Sequence, residues 1–135
     1  MDSEPALTPA IIFSDSAVRD QVTGKLTLAG IFQHFQSAKV PFVSPPFFAT
    51  VFVTNIGGEI KSLPVTMNIE DAAGQIISTA NGHISAGAQA EGNSIPEIAF
   101  PLPPTKFKTA GQYKAVVLIN GERLGYRVLN VISYL

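Results

Sequence analysis

Only a few side chains in this sequence have the types and spacing that enzyme chemistry needs. His83 and Ser85 lie two residues apart and would point to the same face of a β-strand, and Asp71 precedes them. A histidine, a serine and an aspartate are the components of a nucleophilic triad. A two-residue spacing does not direct an imidazole onto a hydroxyl, however, and the surrounding sequence lacks the G-x-S-x-G elbow of the α/β-hydrolases. We therefore expect no catalytic residues and no enzyme activity.

Metal and cofactor sites also lack a specific motif. His34 has no other ligand at a metal-binding interval. Glu70 and Asp71 could join Asp15 or Asp20 in a calcium site between loops. Adjacent acids beside a turn are more typical of a solvated corner, and no phosphate-binding glycine motif is present. We expect no metal ion and no cofactor.

The overall charge argues against a nucleic-acid partner and predicts an uncharged surface. The 135 residues carry a formal net charge of -1. The most closely spaced basic residues are Lys106 and Lys108, and two positive charges are too few to neutralise a run of phosphates. Charged residues make up 14% of the chain, against about a quarter in an average soluble domain. From Leu26 to Gly58 the only charge is Lys39. Because outer faces are normally charged, we expect one flank of the protein to be covered by another surface.

Cysteine usage and hydropathy bear on where the protein resides. The chain has no cysteine, which removes thiol chemistry without fixing the redox compartment. No apolar run approaches the roughly 20 residues of a membrane span. The first residues are acidic where a signal peptide would be basic. We expect a cytoplasmic protein without a membrane span.

The elements that must position these side chains are predicted to be strands. Runs of β-branched and aromatic residues alternate with glycine, proline and asparagine at intervals of about ten residues. The predicted strands cover residues 10–18, 25–35, 47–54, 64–70, 75–83, 95–102, 112–119 and 122–132. Tight turns are predicted at 20–24, at 71–74 and at Asn120-Gly121. Two proline clusters, at 41–46 and 101–104, are predicted to carry the chain between sheets.

Tyr113 indicates which β-fold these strands build. It follows Gly111 and opens an alternating run that ends at Ile119. In immunoglobulin-like sandwiches a tyrosine at this place, the tyrosine corner, bonds back to nearby backbone. We predict an all-β, immunoglobulin-like β-sandwich of about seven to eight antiparallel strands. Residues 1–9 would form an N-terminal arm and residues 10–135 a single domain.

Two segments of the chain resemble a known family. One runs from Asp15 to Phe32 and the other from Gly111 to Val131. They are similar to the N-terminal and C-terminal signatures of a family of small bacterial proteins of unknown function. The resemblance implies a β-sandwich and rests on turn and core residues, so it implies no activity, cofactor or site residue.

Two of the predicted strands are apolar on both faces. In residues 47–54 and 112–119, one alternating set must fill the core, and the other needs cover from a loop or a second chain. The alternation does not show which set points outward. The candidates for an interface are Phe48, Phe52, Val116 and Leu118.

Two functions from different classes follow from these observations. The one we favour is a non-enzymatic structural or interaction protein that self-associates through low-charge sheet faces or edges. The alternative is an immunoglobulin-like adaptor or ligand-binding module for a different protein or a carbohydrate. Its site would be formed by loops at 57–58, 86–93 and 101–104. A heterologous partner predicts a monomer in isolation, whereas self-association predicts a larger species.

Overall fold

The computed structural model describes residues 7–54, 63–84 and 97–134. Every regular element in these residues is a β-strand, so this part of the chain contains no helix that could cross a membrane. Of the predicted N-terminal arm, residues 7–9 belong to the first strand and the rest lies outside the described residues. The strands are β1 (Leu7–Arg19), β2 (Leu26–Phe32), β3 (His34–Ser37), β4 (Phe42–Val43), β5 (Phe47–Thr54), β6 (Leu63–Glu70), β7 (Ile76–Ile84), β8 (Glu97–Leu102), β9 (Lys106–Phe107), β10 (Gly111–Ile119) and β11 (Glu122–Ser133).

Nine of these strands form two facing sheets around one apolar core. The first sheet has the order β2-β1-β5-β8 and the second the order β3-β11-β10-β6-β7. Neighbouring strands are antiparallel except for β3, which runs parallel to β11. Phe13, Phe47 and Phe100 from the first sheet and Met67 and Leu129 from the second are almost fully buried in this core. The predicted all-β sandwich is confirmed.

The chain crosses from one sheet to the other where a single strand was predicted. The strand expected over residues 25–35 is divided at Gln33, with β2 in the first sheet and β3 in the second. The rings of Phe32 and Phe35, on either side of the division, lie 4.8 Å apart and pack against the core. This division and the two-residue strands β4 and β9 explain why the structure has more strands than predicted.

The proline clusters connect the two sheets, as predicted. Residues 41–46 lead from β3 to β5, and residues 101–104 lead from β8 toward β10. Pro101 lies within β8, which pairs with β5 on one side only, so the missing N–H removes no central ladder bond. Phe42 of β4, in the first cluster, pairs with Phe107 of β9, which follows the second cluster.

The tyrosine corner is also confirmed. The Tyr113 hydroxyl donates a 2.7 Å hydrogen bond to the backbone carbonyl of Thr109. The Tyr113 ring meets the Phe107 ring edge-on, with centroids 4.8 Å apart. The corner therefore fixes the segment between β9 and β10 against the core.

The three predicted hairpin turns are present. β1 pairs with β2, β6 with β7 and β10 with β11. In the last turn Asn120 has a φ of 53° and Gly121 a φ of 83°. Positive φ at both positions is what a two-residue type I′ turn requires, and asparagine and glycine are the residues that tolerate it best.

Candidate interaction surface

Of the residues considered for catalysis, the structure describes Asp71 and His83. Asp71 lies in the turn before β7 and His83 near the far end of β7. His34 is in β3 and His83 is in β7, at opposite ends of the second sheet. Ser85 lies outside the described residues. Asp71 Oδ1 accepts hydrogen bonds of 3.0 and 2.8 Å from two backbone N–H groups of the β6–β7 turn. Asp71 therefore stabilises a turn.

Three of the four acids considered for calcium, Asp20, Glu70 and Asp71, have structural partners. Asp20 Oδ1 accepts hydrogen bonds from the backbone N–H groups of Thr23 and Val22, at 2.9 and 2.7 Å. These two bonds, with that from Thr23 the larger cause, lower the pKa of Asp20 below its ordinary 3.8. Glu70 pairs with Arg123 at 3.4 Å. Within residues 7–54, 63–84 and 97–134, no three histidine or acidic side chains are grouped so that they could hold a metal ion.

The four interface candidates lie on the outer faces of different sheets. Phe48 and Phe52 are half-buried on the outer face of β5, in the first sheet. Val116 and Leu118 are on the outer face of β10, in the second sheet, where Val116 is only 1% exposed. The two pairs are on opposite sides of the sandwich and do not form one surface.

The outer face of the second sheet carries charged side chains beside Val116. Tyr126 of β11 lies opposite Val116 in the ladder. The Lys114 ammonium is 4.6 Å from the centroid of the Tyr126 ring, and the Arg123 guanidinium is 5.9 Å from it. This cation–π arrangement, together with the Arg123–Glu70 pair, makes the face polar.

The outer face of the first sheet contains the uncharged flank that the composition predicts. Phe48, Thr50 and Phe52 follow one another on the outer side of β5. Pro101 and Ala99 of β8 lie opposite Phe48 and Thr50. All of these side chains are uncharged, so this part of the face needs an apolar cover.

The β1–β2 hairpin supplies that cover by folding back. Ala10 of β1 and Glu97 of β8 both lie opposite Phe52, so the three residues are in line across the sheet. Arg19 is nine residues farther along β1, which would place it about 30 Å from that line in a straight strand. Its Nη1 is nevertheless 3.1 Å from Glu97 Oε1. Residues 15–30, the folded-back hairpin, must therefore lie across the outer face of β5.

The burial of outer-face residues agrees with this arrangement. Thr50 and Ser14 are 0% exposed although both point away from the core. On the folded-back hairpin, Ala17 and Leu28 are half-buried, whereas Val18 on the other face is 62% exposed. Thr50 Oγ1 finds no hydrogen-bond partner among the described residues. The cover is therefore tight and apolar.

The bend lies where Asp15 and Gly30 face each other. Gly30 has a φ of +70°, and a Cβ at this position would overlap with Asp15 Oδ2. The Ser14 hydroxyl donates a 3.0 Å hydrogen bond to the Ser16 carbonyl across the same point. Only glycine combines this backbone conformation with so close an approach. From the sequence, Asp15 was considered as a calcium ligand, and both residues lie in the segment that resembles a known family, but neither observation indicates a bend.

Among the residues that the structure describes, the folded-back hairpin leaves one long strand edge open. β2 is the last strand of the first sheet, and its seven residues contain neither a charge nor a proline. Val18 and Ile31 beside this edge are 62% and 61% exposed. The edges of β7 and β8 face each other instead, since a Cβ at Gly82 would lie 3.4 Å from the Phe100 ring. β3, the other end of the second sheet, has only four residues.

Sequence reasoning located the uncharged segment that starts at Leu26 but not the exposed edge within it. The available signal was a strand without charge or proline between a tight turn and a sheet crossing. Of the loops considered for the alternative function, 57–58 and 86–93 lie outside the described residues. Residues 101–104 form the end of β8 and the start of the connection to β9.

Comparison with known families agrees with the resemblance found in the sequence. A family model described as a family of unknown function (DUF6941) matches residues 9–132. This match covers both β-sheets and the folded-back hairpin. No curated protein matches the chain.

Proposed function

We propose that this chain, which belongs to DUF6941, a family of unknown function, is a non-enzymatic structural or interaction protein. It self-associates through the open edge of β2. The observation that carries the proposal is the uncharged edge of β2, Leu26–Phe32, which bends at Gly30 and contains no lysine or proline. Natural sheet edges are usually blunted by lysine, proline or a covering element. An edge without these features is suited to pairing with another strand.

A second copy of the chain is the partner that fits this edge best. In a twofold dimer each residue near the axis meets its own counterpart, so charges there would repel. β2 has no charge, and antiparallel pairing of β2 with β2 of a second copy would join two first sheets into one. The exposed side chains of Val18 and Ile31 would then lie beside the joint and add apolar contact.

The outer face of the second sheet is a poorer candidate for the same role. Lys114, Arg123 and Glu70 lie on it, and a twofold axis through it would bring like charges together. The uncharged face of β5 is already occupied by the folded-back hairpin. These comparisons favour the β2 edge over the sheet faces.

The proposal is tested by light scattering coupled to size-exclusion chromatography. Thr27→Lys places a charge at an exposed position near the start of β2. The control, Gln112→Lys, adds the same charge at an exposed position of β10, an interior strand of the second sheet. We expect the unaltered chain and the control to have the mass of an oligomer, also in high salt, and Thr27→Lys to have the mass of a monomer.

Two results would contradict the proposal. If the unaltered chain is a monomer at all concentrations, self-association is wrong and the adaptor or ligand-binding alternative is favoured. If both variants remain oligomers, the chain associates through a surface other than β2.

A further inference from the structure

A cavity at one end of the sandwich has chemistry that self-association does not use. It has a volume of about 320 Å³ and lies between the β6–β7 turn and the segment from β9 to β10. This volume is near the lower end of the roughly 300–1,000 Å³ that small-molecule sites occupy. β2 does not contribute to the cavity, so it is separate from the proposed self-association surface.

Two lysines give one side of the cavity a positive charge. Lys106 and Lys108 flank Phe107, which is fully buried, so strand alternation turns both lysines away from the core. Both are exposed. The ion pairs formed by the described residues are Arg19–Glu97 and Arg123–Glu70, and neither involves these lysines.

Among the described residues, one acid, Asp71, lines the cavity, and it is already engaged. Asp71 Oδ1 accepts two backbone hydrogen bonds from its own turn, from Ala73 and Gln75. Two exposed lysines and one carboxylate, which is partly satisfied by backbone N–H groups, therefore line the cavity. The cavity has a net positive charge and favours an anion.

The wall that β7 contributes is apolar. Ile76 and Ile77 line the cavity, and Ile76 is 54% exposed. Thr109 and Tyr113 also line the cavity, and the Tyr113 hydroxyl donates a 2.7 Å hydrogen bond to the Thr109 carbonyl, which fixes the segment that carries the lysines. A charged side and an apolar side on a fixed frame are the usual features of a site for a small amphipathic ligand.

We propose that this cavity binds a small organic anion. Its carboxylate or phosphate would pair with Lys106 and Lys108, and its apolar group would contact Ile76 and Ile77. The two ammonium groups favour a phosphate monoester over a carboxylate of the same shape, because the phosphate carries more negative charge. A cation of the same shape would be repelled.

Equilibrium dialysis of the full chain with radiolabelled benzoate tests this site. We expect saturable binding that phenyl phosphate displaces more strongly than unlabelled benzoate, and that benzamidinium, a cation of similar shape, does not displace. Replacing both lysines, Lys106→Gln with Lys108→Gln, should weaken benzoate binding by about fivefold or more. The matched control, Lys25→Gln with Lys39→Gln, removes the same charge from two exposed positions outside the cavity. It should change the affinity by less than about twofold.

A third variant tests the apolar wall. Ile76→Gln should weaken benzoate binding but leave the weaker binding of acetate unchanged, because acetate lacks the ring. The proposal is overturned if benzoate does not bind saturably, if benzamidinium competes equally, or if both lysine pairs have the same effect. These outcomes are independent of the mass of the protein in solution, so they can be told apart from failure of the self-association proposal.

Discussion

The Tyr113 hydroxyl is a single group on which one end of the sandwich depends. Its 2.7 Å bond to the Thr109 carbonyl joins the start of β10 to the segment after β9. Tyr113→Phe leaves that carbonyl without this donor, and we expect the free energy of unfolding in urea to fall by about 1–3 kcal/mol. The control is Tyr126→Phe, whose side chain is 51% exposed on the outer face. Tyr126→Phe should change the free energy of unfolding by less than about 0.5 kcal/mol. If Tyr113→Phe and Tyr126→Phe lose the same free energy of unfolding, the corner bond contributes nothing to stability.

For a substitution at Thr50 we predict a gain in stability. Its hydroxyl is buried under the folded-back hairpin and has no partner among the described residues. Thr50→Val removes the unpaired polar group and keeps the shape, so we expect the free energy of unfolding to rise by about 1–2 kcal/mol. Thr105, also buried, donates a 2.9 Å bond to the Pro103 carbonyl, and Thr105→Val should be destabilising. A loss of stability in Thr50→Val would mean that the hairpin does not exclude water from β5.

Among the elements, the β1–β2 hairpin depends on its bend at Gly30. Gly30→Ala requires an alanine at a φ of +70° with its Cβ against Asp15, whereas Gly24→Ala has a similar φ of +75° and no atom within 4 Å. The backbone conformation alone costs roughly 1–2 kcal/mol in each case. We expect urea unfolding to show a larger loss for Gly30→Ala, because Asp15 must also move. Equal losses would contradict the close approach at the bend.

Elements built from neighbouring residues are the ones that the sequence predicts well. The β10–β11 hairpin follows from Asn120-Gly121 and from alternation on both sides of it, and both signals are local. The division at Gln33 and the fold-back at Gly30 have distant causes. The first depends on Phe35 packing in the core and the second on the uncharged outer face of β5, which the hairpin covers.

At the scale of the whole molecule, the uncharged flank was predictable but its cover was not. Charged residues make up 14% of the chain, and the interval from Leu26 to Gly58 contains only one charge. Both observations indicate that some face must be covered. Alternation cannot show which sheet a strand joins, so Phe48 and Val116 were grouped although the sandwich separates them. Likewise, Lys106 and Lys108 are too few for nucleic acid, and only the fold brings them to the wall formed by Ile76.

Self-association also has a consequence for the stability of the whole molecule. If a second copy pairs with β2 of the folded chain and not with the unfolded chain, mass action stabilises the native state. The temperature of unfolding should then rise with protein concentration. Thr27→Lys should make the temperature of unfolding independent of protein concentration. At high dilution its temperature of unfolding should equal that of the unaltered chain, because Thr27 is exposed in the single chain. Differential scanning calorimetry across a wide concentration range measures both quantities. If Thr27→Lys keeps the full dependence, another surface holds the copies together, and the open edge of β2 is protected in some other way.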